Sequence, residues 1–281
     1  MHSPVLKYYG SKFRIANWII GHFPRHCIYV EPFGGSASVL LQKPRSFMEI
    51  YNDLNGDVVN FYKVLRDPLH RHKLVQDLSI TPFAREEYEL SFERANGSIE
   101  RARRFVIRCN FSFNSGGGLK KRNGMSYGRT KYTSETATWL KYPDVISDAG
   151  RRFSGVVIEN RCAFELIEMH DSANTLFYLD PPYLPDTRSN GRKDCYLHDM
   201  YEHDHKKMLE MIVRLKGFVV LSGYDNEMYN EYLSNWGTRN KKACAGSAKG
   251  GKSSVETIWI NPRCLDAINQ DLFCNHVLRT S

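Results

Sequence analysis

The sequence predicts an α/β fold: a mostly parallel sheet with helices on both faces and an antiparallel hairpin near the end of the chain. Three observations carry this. The apolar run from Asn174 to Leu179 is stopped by Asp180-Pro181-Pro182-Tyr183, and two prolines cannot donate to a sheet ladder. Residues 28–53 read as strand, glycine turn, helix, strand and acid, a βαβ arrangement. Residues 204–260 then give a helix, a strand at Gly217–Ser222 and a helix at Asn226–Leu233. Two extended stretches follow, Arg239–Ala243 and Val255–Ile260, long enough to close the sheet as a hairpin.

Composition narrows the class. The chain has 281 residues, 42% hydrophobic and 25% charged, ordinary for a globular protein and enough for one large domain or a core with an inserted lobe. A net charge of +8 points to a polyanionic partner. The seven cysteines (Cys27, Cys109, Cys162, Cys195, Cys244, Cys264, Cys274) include no Cys-x-x-Cys pair, so reduced thiols in a cytoplasmic setting are expected. No signal sequence or membrane-length apolar run is read, and no membrane partner is expected. His198, Asp199, Glu202, His203, Asp204 and His205 cluster without a zinc spacing; no metal is expected, and Asp204 is expected to cap the helix carrying Met208, Leu209, Ile212 and Leu215.

Taken in order, Lys7-Tyr8-Tyr9-Gly10-Ser11-Lys12 is a basic aromatic arm turning at Gly10, followed by Ile15, Trp18 and Ile19 at helical spacing. Ile28–Val30 reads as a strand ended by Glu31. Gly34 and Gly35 make a tight turn, and Ser36 or Ser38 can cap a helix through Leu41. A second strand spans Ser46–Tyr51. Asp53 follows, where an acid after a glycine turn takes ribose hydroxyls. Val58, Phe61, Tyr62 and Leu65 mark an amphipathic helix.

Residues 67–155 change character and read as an inserted, mainly helical lobe, leaving 1–66 and 156–281 as the other domain. Helical patterns lie near 84–95 and 98–111. Between Arg101 and Tyr132 there are nine Lys or Arg and no acid, interleaved with aromatics. That pattern suits contact with nucleic-acid phosphates, through Arg104, Arg108, Lys120, Lys121, Arg122, Tyr127 and Arg129. Gly155–Asn160 reads as a strand and Phe164–Met169 as a short helix. The loop 184–203 is placed to cover the Asp180-Pro181-Pro182-Tyr183 turn. Gly246-Ser-Ala-Lys-Gly-Gly251-Lys252-Ser253 matches a phosphate loop by letter, but a strand pattern follows where that motif needs a helix. A basic hairpin loop is the expectation there.

The Asp180 turn carries the chemistry. Asp180 and the carbonyl of Pro181 place two acceptors at the carboxyl end of a strand, where open α/β sheets bind ligands. Two acceptors on the hydrogens of an exocyclic amine would draw its nitrogen toward tetrahedral and free its lone pair. Tyr183 offers a face for a base to stack on.

Asp180-Pro181-Pro182-Tyr183 resembles the catalytic motif of S-adenosylmethionine-dependent amino-group methyltransferases, in the Asp form typical of adenine-N6 enzymes. Lys7–Lys12, Glu31-Pro-Phe-Gly-Gly-Ser-Ala and Tyr51-Asn-Asp-Leu-Asn are similar to motifs of the Dam-type branch, often carried by phages. The resemblance implies a Rossmann-like fold, a cytoplasmic setting in a bacterium or phage-infected cell, S-adenosyl-L-methionine as cofactor and double-stranded DNA as partner. Catalysis would fall to Asp180, Pro181, Pro182 and Tyr183, acting on a flipped adenine, with the chain a monomer or weak dimer. Cofactor contacts are implied for Tyr8, Lys12, Glu31, Phe33, Gly34, Gly35, Asp53, Cys162, Ala163, Phe164 and Asp180. Two positions depart from the pattern. Cys162 stands where relatives carry Asp, and a thiol is a weaker acceptor. Ser126 replaces the proline before Tyr127-Gly128-Arg129, which is similar to the end of the family's recognition hairpin. The rival readings are a DNA-binding protein with weakened catalysis, a methyltransferase of RNA adenine or cytosine N4, and a phosphate-loop NTPase.

Overall fold

A computed structural model describes residues 3–113, 122–126, 135–187, 196–243 and 254–270. The chain runs α1 (Ala16–Ile20), β1 (Ile28–Glu31), α2 (Ser38–Gln42), β2 (Met48–Asn52), α3 (Gly56–Arg66), α4 (Pro68–Ile80), α5 (Arg85–Leu90), α6 (Ser98–Phe111), α7 (Glu135–Leu140) and α8 (Tyr142–Phe153). It continues with β3 (Val157–Glu159), α9 (Ala163–His170), β4 (Thr175–Leu179), α10 (Glu202–Ile212), β5 (Phe218–Gly223), α11 (Glu227–Tyr232), β6 (Gly237–Ala243) and β7 (Ser254–Ile260). A last helix covers 262–270.

The seven strands lie in the order β3-β2-β1-β4-β5-β7-β6. β3 through β5 pair in parallel, while β7 runs antiparallel to both β5 and β6. The expected parallel sheet with a terminal hairpin is therefore observed. β4 and β5 are buried along their whole length, which is why each reads as an unbroken apolar run rather than an alternating one. From β1 the chain passes to β2 on one side and returns, after the lobe and β3, to β4 on the other. β1 and β4 thus flank the topological switch point, and a crevice opens beyond their carboxyl ends. Glu31 ends β1 and Asp180 follows β4.

Side-chain caps fix several helix starts. Asn55 accepts from the Asp57 N–H at 2.9 Å, Asp67 from the His70 N–H at 2.8 Å, and Asn226 from the Tyr229 N–H at 3.0 Å. Asp204 reaches back to the Tyr201 N–H at 2.9 Å and so closes the start of α10 as expected. α2 starts differently. Its cap position is Ala37, in a left-handed conformation with φ +50°, and no side chain caps the helix. Ser36 and Ser38 instead bond each other at 2.7 Å and Ser11 at 3.0 and 2.8 Å, tying the N-terminal arm to α2. The serine cap expected here is replaced by this hydroxyl cluster.

The core has two layers. On one face Val30, Phe177, Leu179, Val219 and Leu221 pack against Leu166 and Ile167 of α9 and Met208, Leu209 and Ile212 of α10. On the other, Tyr29, Tyr51 and Leu176 meet Val58, Phe61 and Tyr62 of α3. Full burial of each large apolar side chain contributes roughly 1.5–3 kcal/mol. The second layer runs on without a break into Leu74 of α4, Phe105 of α6, Trp139 of α7 and Ile146 and Phe153 of α8. The described helices between 67 and 155 therefore pack on α3 through a shared core. α4 and α8 were not marked individually by the sequence pattern.

Candidate active site

Leu179 closes β4 because Pro181 and Pro182 can extend no ladder, and Asp180 is left pointing into the crevice. Its side chain is 18% exposed. Lys12 Nζ lies 3.0 Å from Asp180 Oδ1, but the approach is too oblique for a hydrogen bond, so this buried oxygen has charge compensation without a directed donor. Burial pushes the Asp180 carboxyl up to about 6; Lys12 pulls it down and Glu256 pushes it further up.

Lys12 is buried, delivered by the turn at Gly10. That glycine has φ +76°, and a Cβ there would come within 2.5 Å of the Tyr196 hydroxyl. The ammonium donates to the Gly10 carbonyl at 2.9 Å, stands 4.6 Å over the Tyr183 ring and lies 3.5 Å from Glu256 Oε1. Burial alone would lower its pKa, but Asp180 and Glu256 hold it above the ordinary lysine value. The Tyr183 hydroxyl donates to the same Glu256 oxygen, and its ring meets Tyr224 edge-on at 4.8 Å. Burial, Asp180 and Glu256 all push the Tyr183 phenol well up, so it keeps its proton. Glu256 belongs to this group and was missed in the sequence. Nothing local marks it, because β7 brings it to Lys12 from the far end of the chain.

The carboxyl ends of β1 and β2 form the other wall. Gly34 admits no side chain, since a Cβ would sit 2.1 Å from the Tyr51 ring. Gly35 adopts φ +47°. Its N–H donates to Asp53 Oδ2 at 2.8 Å, its carbonyl accepts from the Tyr51 hydroxyl at 2.7 Å, and Tyr8 lies against it. Asp53 Oδ1 accepts from the Asn55 N–H at 2.7 Å. Each Asp53 oxygen thus uses one acceptor site and retains another. Burial raises the Asp53 carboxyl above its usual range, opposed by the Asn55 and Gly35 N–H groups. Burial, then Asp53, also raises the Tyr8 phenol.

Glu31 is buried and turned inward. Its Oε2 accepts from the Tyr29 hydroxyl at 2.7 Å and the Leu40 N–H at 3.2 Å. Burial pushes its carboxyl up to about 8, against the Tyr29 hydrogen bond and with Asp180 adding to the rise. Phe33 packs at the edge of the α9–α10 core.

Asn52 draws the wall together. Its amide donates to the Pro32 carbonyl at 2.8 Å and the Arg161 carbonyl at 3.1 Å, and its oxygen accepts from the Arg161 N–H at 3.0 Å. This fixes Cys162 beside the β2 edge as the residue before α9. Ala163 is buried, and Phe164 is partly buried with the Lys207 ammonium 5.0 Å over its ring.

The basic segment makes internal pairs that its sequence pattern does not show. Arg104 donates to Glu100 at 2.7 Å and to the Leu90 and Glu93 carbonyls at 3.2 Å. Arg108 donates to Asp57 at 2.6 Å and the Ser91 carbonyl at 2.8 Å. Both make internal pairs, and these brace α6. The sequence shows their charge but not Asp57, which folds back onto them from α3. Arg122 stacks 4.5 Å over the Phe92 ring. Lys120, Lys121, Tyr127 and Arg129 lie outside the described residues, as do Gly246–Ser253. A strand and not a helix follows that segment, a geometry no phosphate loop has. Among the described residues no group of three His, Cys, Asp or Glu could hold a metal ion, and no helix is long and apolar enough to cross a membrane.

Against this geometry the comparisons are decisive. A model of the D12 class N6 adenine-specific DNA methyltransferases matches residues 8–244. The chain belongs to that family. It is also similar to a DNA N-6-adenine-methyltransferase of Escherichia phage P1, 24% identical over 262 residues, covering 88% of this chain and 34% of that protein. A type II methyltransferase of Methanocaldococcus jannaschii is 23% identical over 75% of this chain and 80% of its own. A DNA adenine methylase of Serratia marcescens is 24% identical over 82% and 86%. The chain thus spans about a third of the phage protein and most of the other two. The seven-stranded sheet, parallel but for its terminal hairpin, is consistent with the methyltransferase fold. The family is named for methyl transfer to adenine N6 in DNA.

Proposed function

We propose that this chain moves a methyl group from S-adenosyl-L-methionine to the N6 amine of adenine in double-stranded DNA, with the base turned out of the helix. The observation that carries the proposal is Asp180 Oδ1, a buried acceptor with no directed donor at the switch-point crevice. Such an oxygen costs free energy unless a ligand completes it.

The residues present fit the cofactor. Gly34 lets the turn pack on the Tyr51 ring and Gly35 leaves bare backbone beside Tyr8, Asp53 keeps acceptor capacity for ribose hydroxyls, and the crevice carries more carboxylates than cations. Tyr8, Glu31, Phe33, Gly34, Gly35, Asp53, Cys162, Ala163 and Phe164 would hold it. When bound, the cofactor supplies an activated methyl on a sulfonium, so the protein need only position and polarise the acceptor. Asp180 Oδ1 and the Pro181 carbonyl accept the two amine hydrogens and make the nitrogen lone pair available. Tyr183 stacks the base in the pocket, and a flipped base is required because the duplex hides the amine. Positive charge developing on N6 is met by Asp180, and the surplus proton leaves through that hydrogen bond. The setting this implies is a bacterial or phage-infected cytoplasm, with the chain acting as a monomer or weak dimer.

The test is purified protein with tritiated S-adenosylmethionine and unmethylated duplex DNA, followed by nucleoside analysis. Label in N6-methyldeoxyadenosine is expected. Label in N4-methyldeoxycytidine, or in RNA alone, would replace this reading with a rival, and DNA binding without label would leave a catalytically weakened binder.

A further inference from the structure

We infer that Glu256 is a positioning residue for methyl transfer: it shares Lys12 with Asp180 and anchors the Tyr183 hydroxyl, keeping the acceptor oxygen of Asp180 open to the substrate amine. This rests on the reading of Asp180 as the carboxylate that holds the amine.

The sheet explains how Glu256 arrives. β5 ends at Gly223, which pairs with Thr257 of β7. Glu256 is one residue further on, so it projects past the end of β5 and over the turn that follows β4. Only 6% of its side chain is exposed. A buried carboxylate needs compensation, and Glu256 receives it from Lys12 at 3.5 Å and from the Tyr183 hydroxyl. One ammonium therefore serves two carboxylates, and the trio carries a net negative charge.

That arithmetic matters for the chemistry. Methyl transfer moves positive charge onto the base nitrogen, and an acceptor neutralised by its own ion pair would stabilise that charge poorly. With Glu256 present, Lys12 sits between two anions and approaches Asp180 Oδ1 obliquely. Without the second anion, only the neutral Gly10 carbonyl and the Tyr183 ring hold the ammonium against the pull of Asp180. The ammonium would close into a direct charge-assisted hydrogen bond on the oxygen the amine needs. The Tyr183 ring, held by its hydroxyl on Glu256 and its edge on Tyr224, would also lose one of its supports.

The groups facing Asp180 are Lys12 of the arm, Tyr178 of β4, Tyr183, Glu31 of β1, Tyr229 of α11 and Glu256 of β7. Of these, Lys12 is the cation and Glu256 and Glu31 are the acids. Removing the Glu256 charge takes away repulsion that favours protonated Asp180, so Asp180 should titrate lower in Glu256→Gln.

The experiment uses full-length wild type, Glu256→Gln and Glu256→Asp. Carbon-13 NMR of aspartate-labelled, cofactor-free protein follows the Asp180 carboxyl, identified by its loss in Asp180→Asn. Calorimetry gives the S-adenosylmethionine affinity, and rapid quench gives the single-turnover methyl-transfer rate. In Glu256→Gln the Asp180 midpoint should fall by at least ~0.5 pH unit and the transfer rate by about tenfold or more. Cofactor affinity should stay within about threefold, and Glu256→Asp should restore midpoint and rate toward wild type. An unmoved Asp180 midpoint, a rate within about threefold of wild type, or a rate loss that merely follows lost cofactor binding would overturn the inference. If wild type transfers no methyl to adenine, the functional reading fails on its own, and the NMR titration still decides whether Glu256 governs Asp180.

Discussion

At the scale of single residues, Asp53 shows how one side chain can hold a loop and offer a binding site. Its oxygens accept the Gly35 and Asn55 N–H groups, which fixes the glycine turn, and each retains capacity for a ligand hydroxyl. Asp53→Ala is expected to weaken S-adenosylmethionine binding by about 1–3 kcal/mol, the cost of stranding a hydrogen-bonded partner, and to lower the melting temperature as the two N–H groups lose their acceptor. Calorimetry and a thermal melt check both effects; unchanged cofactor affinity would remove Asp53 from the ribose site. The places of Asp53, Asp180 and the two glycines at the crevice were legible in the sequence because they follow from the strand ends. Glu256 was not, because its partners Lys12 and Tyr183 come from other parts of the chain and only the antiparallel hairpin unites them. Arg104 and Arg108 were legible as charges but not as ion pairs, since Asp57 reaches α6 only through tertiary packing.

At the scale of elements, the start of α9 is incomplete. Cys162 occupies the cap position with φ −55° and ψ 128° and makes no side-chain cap bond, and Glu165 stands three residues on. Cys162→Ser would supply a hydroxyl for the orphan N–H groups and complete a capping box with Glu165. A gain of ~0.5–2 kcal/mol is expected, read as a raised denaturation midpoint at unchanged slope; no gain would mean that the Asn52 bonds to Arg161 already fix this turn. The strands were the most legible elements. β4 and β5 are buried ladders and read as apolar runs, while β1 and β2 were placed by the glycine turn and helix between them. The hairpin was placed correctly although β6 is polar, because β7 keeps the pattern of a buried strand. α4 escaped notice for a physical reason: of its 13 residues only Leu74 and Leu78 are buried, too few to write a helical stripe. α8 does carry one, at Tyr142, Ile146, Ala149 and Phe153.

At the scale of the whole molecule, the lobe at 67–155 and the sheet share one apolar layer, from Tyr51 and Phe61 through Phe105 to Trp139 and Phe153. The composition shift at 67 marks a change of surface, not a break in the core, and composition cannot show which apolar faces meet. A shared core couples unfolding, so scanning calorimetry of the cofactor-free protein is expected to give one transition; two separated transitions would show that the lobe folds independently. The same continuity connects the arginine-braced α6 to α3, whose first turn carries Asp57 and whose cap, Asn55, donates its N–H to Asp53. The braced α6 and the glycine turn at Gly35 are thus tied to the same helix, α3.

All of this converges on Asp180, the buried acceptor at the crevice between β1 and β4. The direct measurement is the single-turnover rate of methyl transfer to duplex adenine by wild type and Asp180→Ala, with cofactor binding followed in parallel. Wild type should produce N6-methyladenine, and the variant should lose at least ~2–3 kcal/mol of transition-state stabilisation, roughly a hundredfold in rate, while still binding S-adenosylmethionine. A variant that methylates at a near-normal rate would contradict the assignment of this turn as the catalytic site.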